Sequence, residues 1–592
     1  MTSHLDNECI PYKKKRAAEE KAQGRQTLLT QAIKPEASIA IDRLTAEQTS
    51  HLNKLAGYAV FCGARPFSLF EESAMLDFHA ALKPSFKIPS SKTIGGRILD
   101  ECYSETFLEV LQAIHTSFSI NISTDESSTS SKDRVINYCI VTDKKESFCM
   151  KLELVEVGTS SAERQAAWLD ESLDELETGL QEVYGPGAKL PFINSVATDT
   201  CSTMRSFWTK LGVKPRYKLT FFVPCDSHGL QLLIKDILEF PVFSTTMTEC
   251  NGIVAHFSSS HKQLALLRSY MVAELGKTYA LILAVPTRWG TQYNELLSIK
   301  RSTLALKKFG KDKKNGCTNT KVLKTLTDSS FWDSVLDLLD LLKPIHDVQV
   351  MSESSRGHVG HVRSQWMKIR DHLSQHEFAS GLLDRFDARY NLQTSDLHLI
   401  AFFLDPKNLE ESFGASDSLN RILEYFERYG GILDAKSIFR KELLMFRKRR
   451  ELFSRADLWE KELCSNPVLF WELAEAYGSK LATFALRVLN TPSNSVPSER
   501  SFSAMKLQHS RLRTSLSLTK IHKLCFIHVN RRVLNNSKWK YPKKLYELSE
   551  EEELMLENTL LEMEISTALQ PQPDMVEDSG DSENPSKRSR MN

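Results

Sequence analysis

At Ser117 the apolar residues of this chain stop recurring every three or four positions and begin to alternate. "SFSINISTDE" sets Phe118, Ile120 and Ile122 against Ser119, Asn121, Ser123 and finally Asp125, the period-two pattern of a strand that closes on an acid. "RVINYCIVTD" and "ESFCMKLELVEV" follow with a short connection, which predicts an antiparallel meander. The helical pattern "SAERQAAWLDESLDELETGLQEVYG" then stops at Gly185 and Pro186. A buried strand, "PFINSVATD", ends in Asp199; a short helix, the strand "KLTFFVPCD" and the helix "HGLQLLIKDIL" complete the order βββαβαβα. Such an order makes one mixed sheet, in which the strands bearing Asp125 and Asp199 are neighbours.

Helical spacing surrounds this segment on both sides. Residues 1–38 read as a flexible basic and polar arm, 39–116 as a small helical region and 117–245 as the first part of the mixed core. Long helices dominate 246–465; the core is expected to resume over 466–535, and 536–592 reads as a basic and then acidic disordered tail. The fold class is therefore mixed α/β, a sheet-containing core interrupted by a large all-α insertion.

Charge is segregated although the formal net charge is only +1. From Lys506 to Lys544 there are eleven Lys or Arg and no acid, and the run 300–314, with Lys307, Lys308, Lys313 and Lys314, has seven bases and one acid. A third basic run is "FRKELLMFRKRRE". Each run is either a solvated helix face or a seat for a polyanion such as DNA. The eleven cysteines include no C-x-x-C pair, which disfavours a zinc finger and a disulfide framework. No apolar run has the length of a membrane span, and the start lacks a signal-peptide core, so a soluble protein is expected. "PYKKKRAAEEKAQGR" suits a nuclear import signal.

Acids at strand ends are commonly turn residues or caps. The functional reading of Asp125 and Asp199 needs a third carboxylate, because divalent ions that handle phosphodiesters are held by several negative oxygens. Glu499, in "NTPSNSVPSERSFSAMKLQ", is the candidate: Pro497 suits a first helical turn, and Ser495 or Ser498 suits the cap. Its plainer role is to complement the helix dipole.

Five stretches together resemble the hAT superfamily (hobo, Activator, Tam3) of cut-and-paste DNA transposases. "NISTDESSTSSKDRVINYCIV" resembles the family's first catalytic strand and "SVATDTCSTMRSFWTKL" the second. "FVPCDSHGLQLLIKDIL" resembles its C-x-x-H block, here Cys225 and His228, and "PTRWGTQYNELLSIK" its Arg-Trp segment at Arg288 and Trp289. "FWELAEAYGSKLATFALRVLNTPSNSVPSERSFSAM" resembles its C-terminal dimerisation region, with Leu469, Phe470, Leu473, Leu481, Phe484, Val488 and Phe502 as candidate contacts. The resemblance implies a ribonuclease H-like catalytic core with an α-helical insertion before the last acid. It also implies Asp125, Asp199 and Glu499 as a catalytic, metal-binding triad for Mg²⁺ or Mn²⁺, DNA as partner, homo-oligomers and a nuclear location. Trp289 beside Arg288 resembles the aromatic that stacks on a flipped base, and Cys225 with His228 a DNA-positioning or structural pair.

The chain also departs from the family. Glu126 and Ser127 stand where Gly-Trp is frequent after the first acid, and Thr200 where Asn is frequent after the second. The amino-terminal zinc finger of many relatives has no counterpart, since only Cys9 precedes Cys62. Two alternatives stay open: a catalytically silent descendant that dimerises, binds DNA and regulates transcription, and a metal-dependent nuclease without transposition.

Overall fold

A computed structural model describes residues 43–129, 132–155, 161–285, 290–353, 357–410, 416–429, 435–509 and 516–535. The elements used below are, in chain order, α1 (Ala46–Cys62), α2 (Leu99–His115), β1 (Ser119–Ser128), β2 (Arg134–Thr142), β3 (Ser147–Leu154), α3 (Ala162–Tyr184), β4 (Phe192–Thr198), α4 (Ser202–Gly212), β5 (Phe221–Pro224) and α5 (Asp226–Leu238). They continue with α6 (Thr291–Arg301), α7 (Thr303–Lys311), α8 (Ser329–Glu353), α9 (Val359–Leu373), α10 (Ala379–Gln393), α11 (Pro467–Ala476), α12 (Lys480–Leu489), α13 (Val496–Gln508) and α14 (Leu518–Leu534). The chain forms two compact units. The first takes in Met1–Val223, Leu423–Lys441 and Asn490–Lys538, the second Pro224–Ile422, Glu442–Leu489 and Trp539–Asn592. The chain thus resumes the first unit at Asn490.

The first unit is built on a five-stranded mixed sheet in the order β3-β2-β1-β4-β5. β1 and β2 pair antiparallel with Asp125 opposite Asn137, β2 and β3 are antiparallel, and β1 and β4 are parallel with Ser123 opposite Ala197. The strands bearing the two acids are side by side, as the element order predicted. β1 does not stop at Asp125: Glu126, Ser127 and Ser128 keep pairing with Ile136, Val135 and Arg134, and the Arg134 guanidinium closes on the Glu126 carboxylate.

Both faces of the sheet are covered. Ile120, Ile122, Tyr138 and Ile140 pack in one cluster with Val110, Leu111 and Ile114 of α2, Leu169 and Leu173 of α3, and Phe207 of α4. On the other face Val135, Cys139, Cys149 and Leu152 meet Phe502 and Met505 of α13 and Ile521 and Cys525 of α14. Asn121 and Ser123 of β1 belong to this second face. They are not solvated, as a period-two strand with one polar face would suggest; Asn121 and Ser123 are 2% and 3% exposed.

The second unit is helical. Leu230, Leu233 and Ile237 of α5 share a core with Leu296 and Ile299 of α6, Leu306 and Phe309 of α7, Leu338 and Leu342 of α8, Trp366 of α9 and Phe386 of α10. Gly229 permits the approach of α10, since a Cβ there would lie 2.4 Å from the Gln393 carboxamide carbon. The run "VLFWELAEAYGSKLATFALRVL" is two helices, α11 and α12, because Gly478 takes φ 94°, a left-handed conformation that ends the first. No helix among the described residues is long and apolar enough to cross a membrane.

Candidate functional site

Asp125 lies within β1 and Asp199 directly follows β4, its parallel neighbour. Each carboxylate accepts from a nearby backbone N–H: Glu126 N–H donates to Asp125 Oδ1 at 2.8 Å within β1, and Cys201 N–H to Asp199 Oδ1 at 3.2 Å just after β4. Among the described residues no Lys, Arg or His forms an ion pair with either. Crowding by protein atoms pushes the Asp125 carboxyl up to about 7, and the negative charges of Asp199 and Glu126 add to the rise. Two acids are thus held close enough for one to oppose the ionisation of the other.

Glu499 arrives from the far end of the sequence on the first turn of α13, with Pro497 just inside the helix. The start of α13 is seated on β1 and β2 by buried polar contacts. Asn137 Nδ2 donates to the Ser498 carbonyl at 2.8 Å and to Ser501 Oγ; the two hydroxyls of Ser498 and Ser123 meet at 3.0 Å; Cys139 Sγ lies 3.4 Å from the Pro497 carbonyl. Farther back along the same seam, Asn194 Nδ2 bonds Thr491 Oγ1 and Asn121 Oδ1, both at 3.0 Å, and Ser195 Oγ donates to Asn121 Oδ1 at 2.7 Å. Serine, threonine and asparagine on "NTPSNSVPSERS" therefore meet serine and asparagine on the sheet, and this polar match fixes the backbone on either side of Glu499 against β1 and β2.

Among the described residues no group of three or more His, Cys, Asp or Glu side chains is gathered to hold a metal ion; what the structure presents is Asp125 on β1 and Asp199 directly after its parallel neighbour β4. The donors nevertheless suit Mg²⁺ or Mn²⁺. Carboxylate oxygens are the hard ligands these ions take, and a carboxyl forced toward neutrality by burial and a neighbouring acid is relieved by a divalent cation.

The remaining predicted residues fall elsewhere. Cys225 is fully buried at the N-cap of α5 and His228 is partly exposed in its first turn. Asp226, expected to end the preceding strand, instead opens α5; it accepts from Trp366 Nε1 at 2.7 Å, and burial pushes its carboxyl up to about 6. Arg288 and Trp289 lie outside the described residues. The chain just before them is pinned to α6: Thr291 Oγ1, Glu295 Oε2 and Ser298 Oγ accept the N–H groups of Val285, Ala284 and Ile282 at 3.1, 3.3 and 3.0 Å. Lys307 lies 5.2 Å over the Trp332 ring and Lys308 pairs with Glu274, whereas Lys313 and Lys314 are exposed beyond the end of α7.

The sequence reading missed Asn137 and Glu295. An asparagine inside an apolar strand and an acid at helical spacing from Thr291 and Ser298 were the available signals.

Residues 449–530 match the model of the hAT family C-terminal dimerisation region. The chain carries a hAT dimerisation region. No curated protein matches the chain. The hAT region runs through α11, α12 and α13 and most of α14, so it contains the helix start that bears Glu499. The contacts predicted within it need correction: Phe470, Leu481, Phe484, Val488 and Phe502 are buried inside the protomer. Phe470 packs edge-on to Trp459 with ring centroids 5.1 Å apart, and Phe502 sits with Met505 against the sheet. Among the described residues of the hAT region, the exposed large apolar side chains are Leu469 and Leu507, at 47% and 48%, with Leu473 partly exposed.

Proposed function

We propose that this chain is a hAT-type cut-and-paste DNA transposase, or a protein derived from one, whose sheet is the ribonuclease H-like core of that family. The observation that supports the reading is the return of the chain after the helical insertion: Ser498 and Ser501, on either side of Glu499 in sequence, seat the start of α13 on β1 and β2. Asp125 and Asp199 would hold a divalent cation between adjacent strands, and Glu499 would add a third carboxylate. A bound Mg²⁺ or Mn²⁺ would supply an activated water or 3′-hydroxyl and a counter-charge for the leaving oxygen of a DNA phosphodiester. Lys313 and Lys314 would attract the phosphate backbone. The hAT region supports homo-oligomers, with Leu469 and Leu507 as the apolar groups offered to a second copy; the site of action proposed with this reading is the nucleus.

Nicking of supercoiled plasmid in Mn²⁺, run beside a gel-shift assay, tests the reading. The wild type is expected to nick, and Asp125→Asn, Asp199→Asn and Glu499→Gln each to lose nicking while retaining DNA. Nicking that survives one substitution removes that residue from the set. DNA binding without any nicking by the wild type would identify a silent descendant.

A further inference from the structure

The side chain between the two halves of the candidate site is Asn137, fully buried on β2 directly opposite Asp125. Its Oδ1 accepts the Asp125 N–H at 3.2 Å, and its Nδ2 donates both to the Ser498 carbonyl and to Ser501 Oγ. Thr124 Oγ1 donates to the Asn137 carbonyl at 2.6 Å, so the backbone at this pair is fixed as well. Both donor hydrogens of the amide are used, and one carboxamide joins the strand residue Asp125 to the residue just before Glu499.

A buried amide costs stability unless it is hydrogen-bonded, so an apolar side chain would serve better if the only task were to glue α13 to the sheet. The rest of that contact, Val135, Cys139, Phe502 and Met505, is indeed apolar. What an amide adds is direction: three hydrogen bonds of fixed length and angle hold two backbones in one register. Ser123 with Ser498 adds a second polar contact to the same helix start, two residue pairs away on the same face.

We infer that Asn137 is a positioning residue of the candidate site, setting the place of Glu499 relative to Asp125 and thereby the affinity of the site for a divalent cation. This inference rests on the metal-site reading above. Groups that orient metal ligands without touching the metal typically account for about 10–100-fold in affinity.

The test is Mn²⁺ binding by the full chain, read by electron paramagnetic resonance, together with thermal melts in EDTA. The wild type should bind, and Asp125→Asn should not. Asn137→Leu, which has the same branching and number of side-chain heavy atoms but no hydrogen bonds, should weaken Mn²⁺ at least about tenfold in protein that still melts cooperatively in EDTA. Ser501→Ala, which removes a single partner, should weaken it by about two- to fivefold and guards against misfolding of the leucine variant. Wild-type affinity in the folded variants would overturn the positioning role and leave the metal site standing. A wild type that binds Mn²⁺ no better than Asp125→Asn would overturn the metal site and this inference with it.

Discussion

Phe484 and Leu469 lie in the same hAT region but should respond in opposite ways to an introduced aspartate. Phe484 is 1% exposed. Removing a buried phenylalanine side chain costs about 3–5 kcal/mol, and a carboxylate left in its place adds a desolvation cost of a few more. Phe484→Asp should therefore melt well below the wild type, or fail to fold, whatever its oligomeric state. Leu469 is 47% exposed, so Leu469→Asp should change protomer stability by no more than about 0.5 kcal/mol. Its effect belongs to association. Burying the exposed half of a leucine contributes about 1 kcal/mol, half of the 1.5–3 kcal/mol for a whole side chain, and a two-fold interface counts the residue twice. About 1.5–3 kcal/mol corresponds to a dimer roughly 10–150-fold weaker. Light scattering across a dilution series, with circular-dichroism melts of the same samples, separates the two. A folded Phe484→Asp monomer with the wild-type melting temperature would refute the assignment of Phe484 to the core. An unchanged dilution profile for Leu469→Asp would remove Leu469 from the self-association surface.

Other outcomes follow from particular contacts. Replacing Lys313 and Lys314 with Gln should flatten the salt dependence of DNA binding by about two phosphate contacts, whereas Lys307→Gln, whose ammonium lies over Trp332, should change it little; gel shifts between low and high salt measure this. Glu295 is fully buried, and burial pushes its carboxyl up to about 8 from an ordinary value near 4.5. Its stabilising effect is whole below about pH 4.5 and is lost as pH rises through 8, a swing on the order of 4 kcal/mol. In Glu295→Gln, which keeps an oxygen for the Ala284 N–H, the fall in melting temperature between pH 5 and 8 should be shallower than in the wild type. Gly229→Ala should lower the melting temperature by forcing α5 and α10 apart at Gln393, by roughly 1–3 kcal/mol; an unchanged melt would mean that the glutamine moves aside.

The order of elements and the neighbouring strands of Asp125 and Asp199 were legible in the sequence. Period-two and period-3.6 patterns are local, and a strand that follows a three-stranded meander through a helix has only the two sheet edges to join. Glu499 could be singled out from its short motif and its place at a helix start. Where it lands depends on a contact between residues more than 360 positions apart, Asn137 with Ser498 and Ser501, and no local pattern carries that.

The alternation in "SFSINISTDE" shows the difference plainly. The sequence by itself determined that Asn121, Ser123 and Asp125 share one face of a strand, because side chains of an extended chain alternate. Only the tertiary structure decided that this face is covered by the returning segment 490–502. A polar face is satisfied equally by water or by a matching row of serine, threonine and asparagine, and composition cannot distinguish the two. The same holds for the apolar face of "VLFWELAEAYGSKLATFALRVL". Periodicity marks Phe470, Phe484 and Val488 for burial, but whether a side chain is buried by its own protomer or by a second copy depends on which surfaces the rest of the chain has already covered.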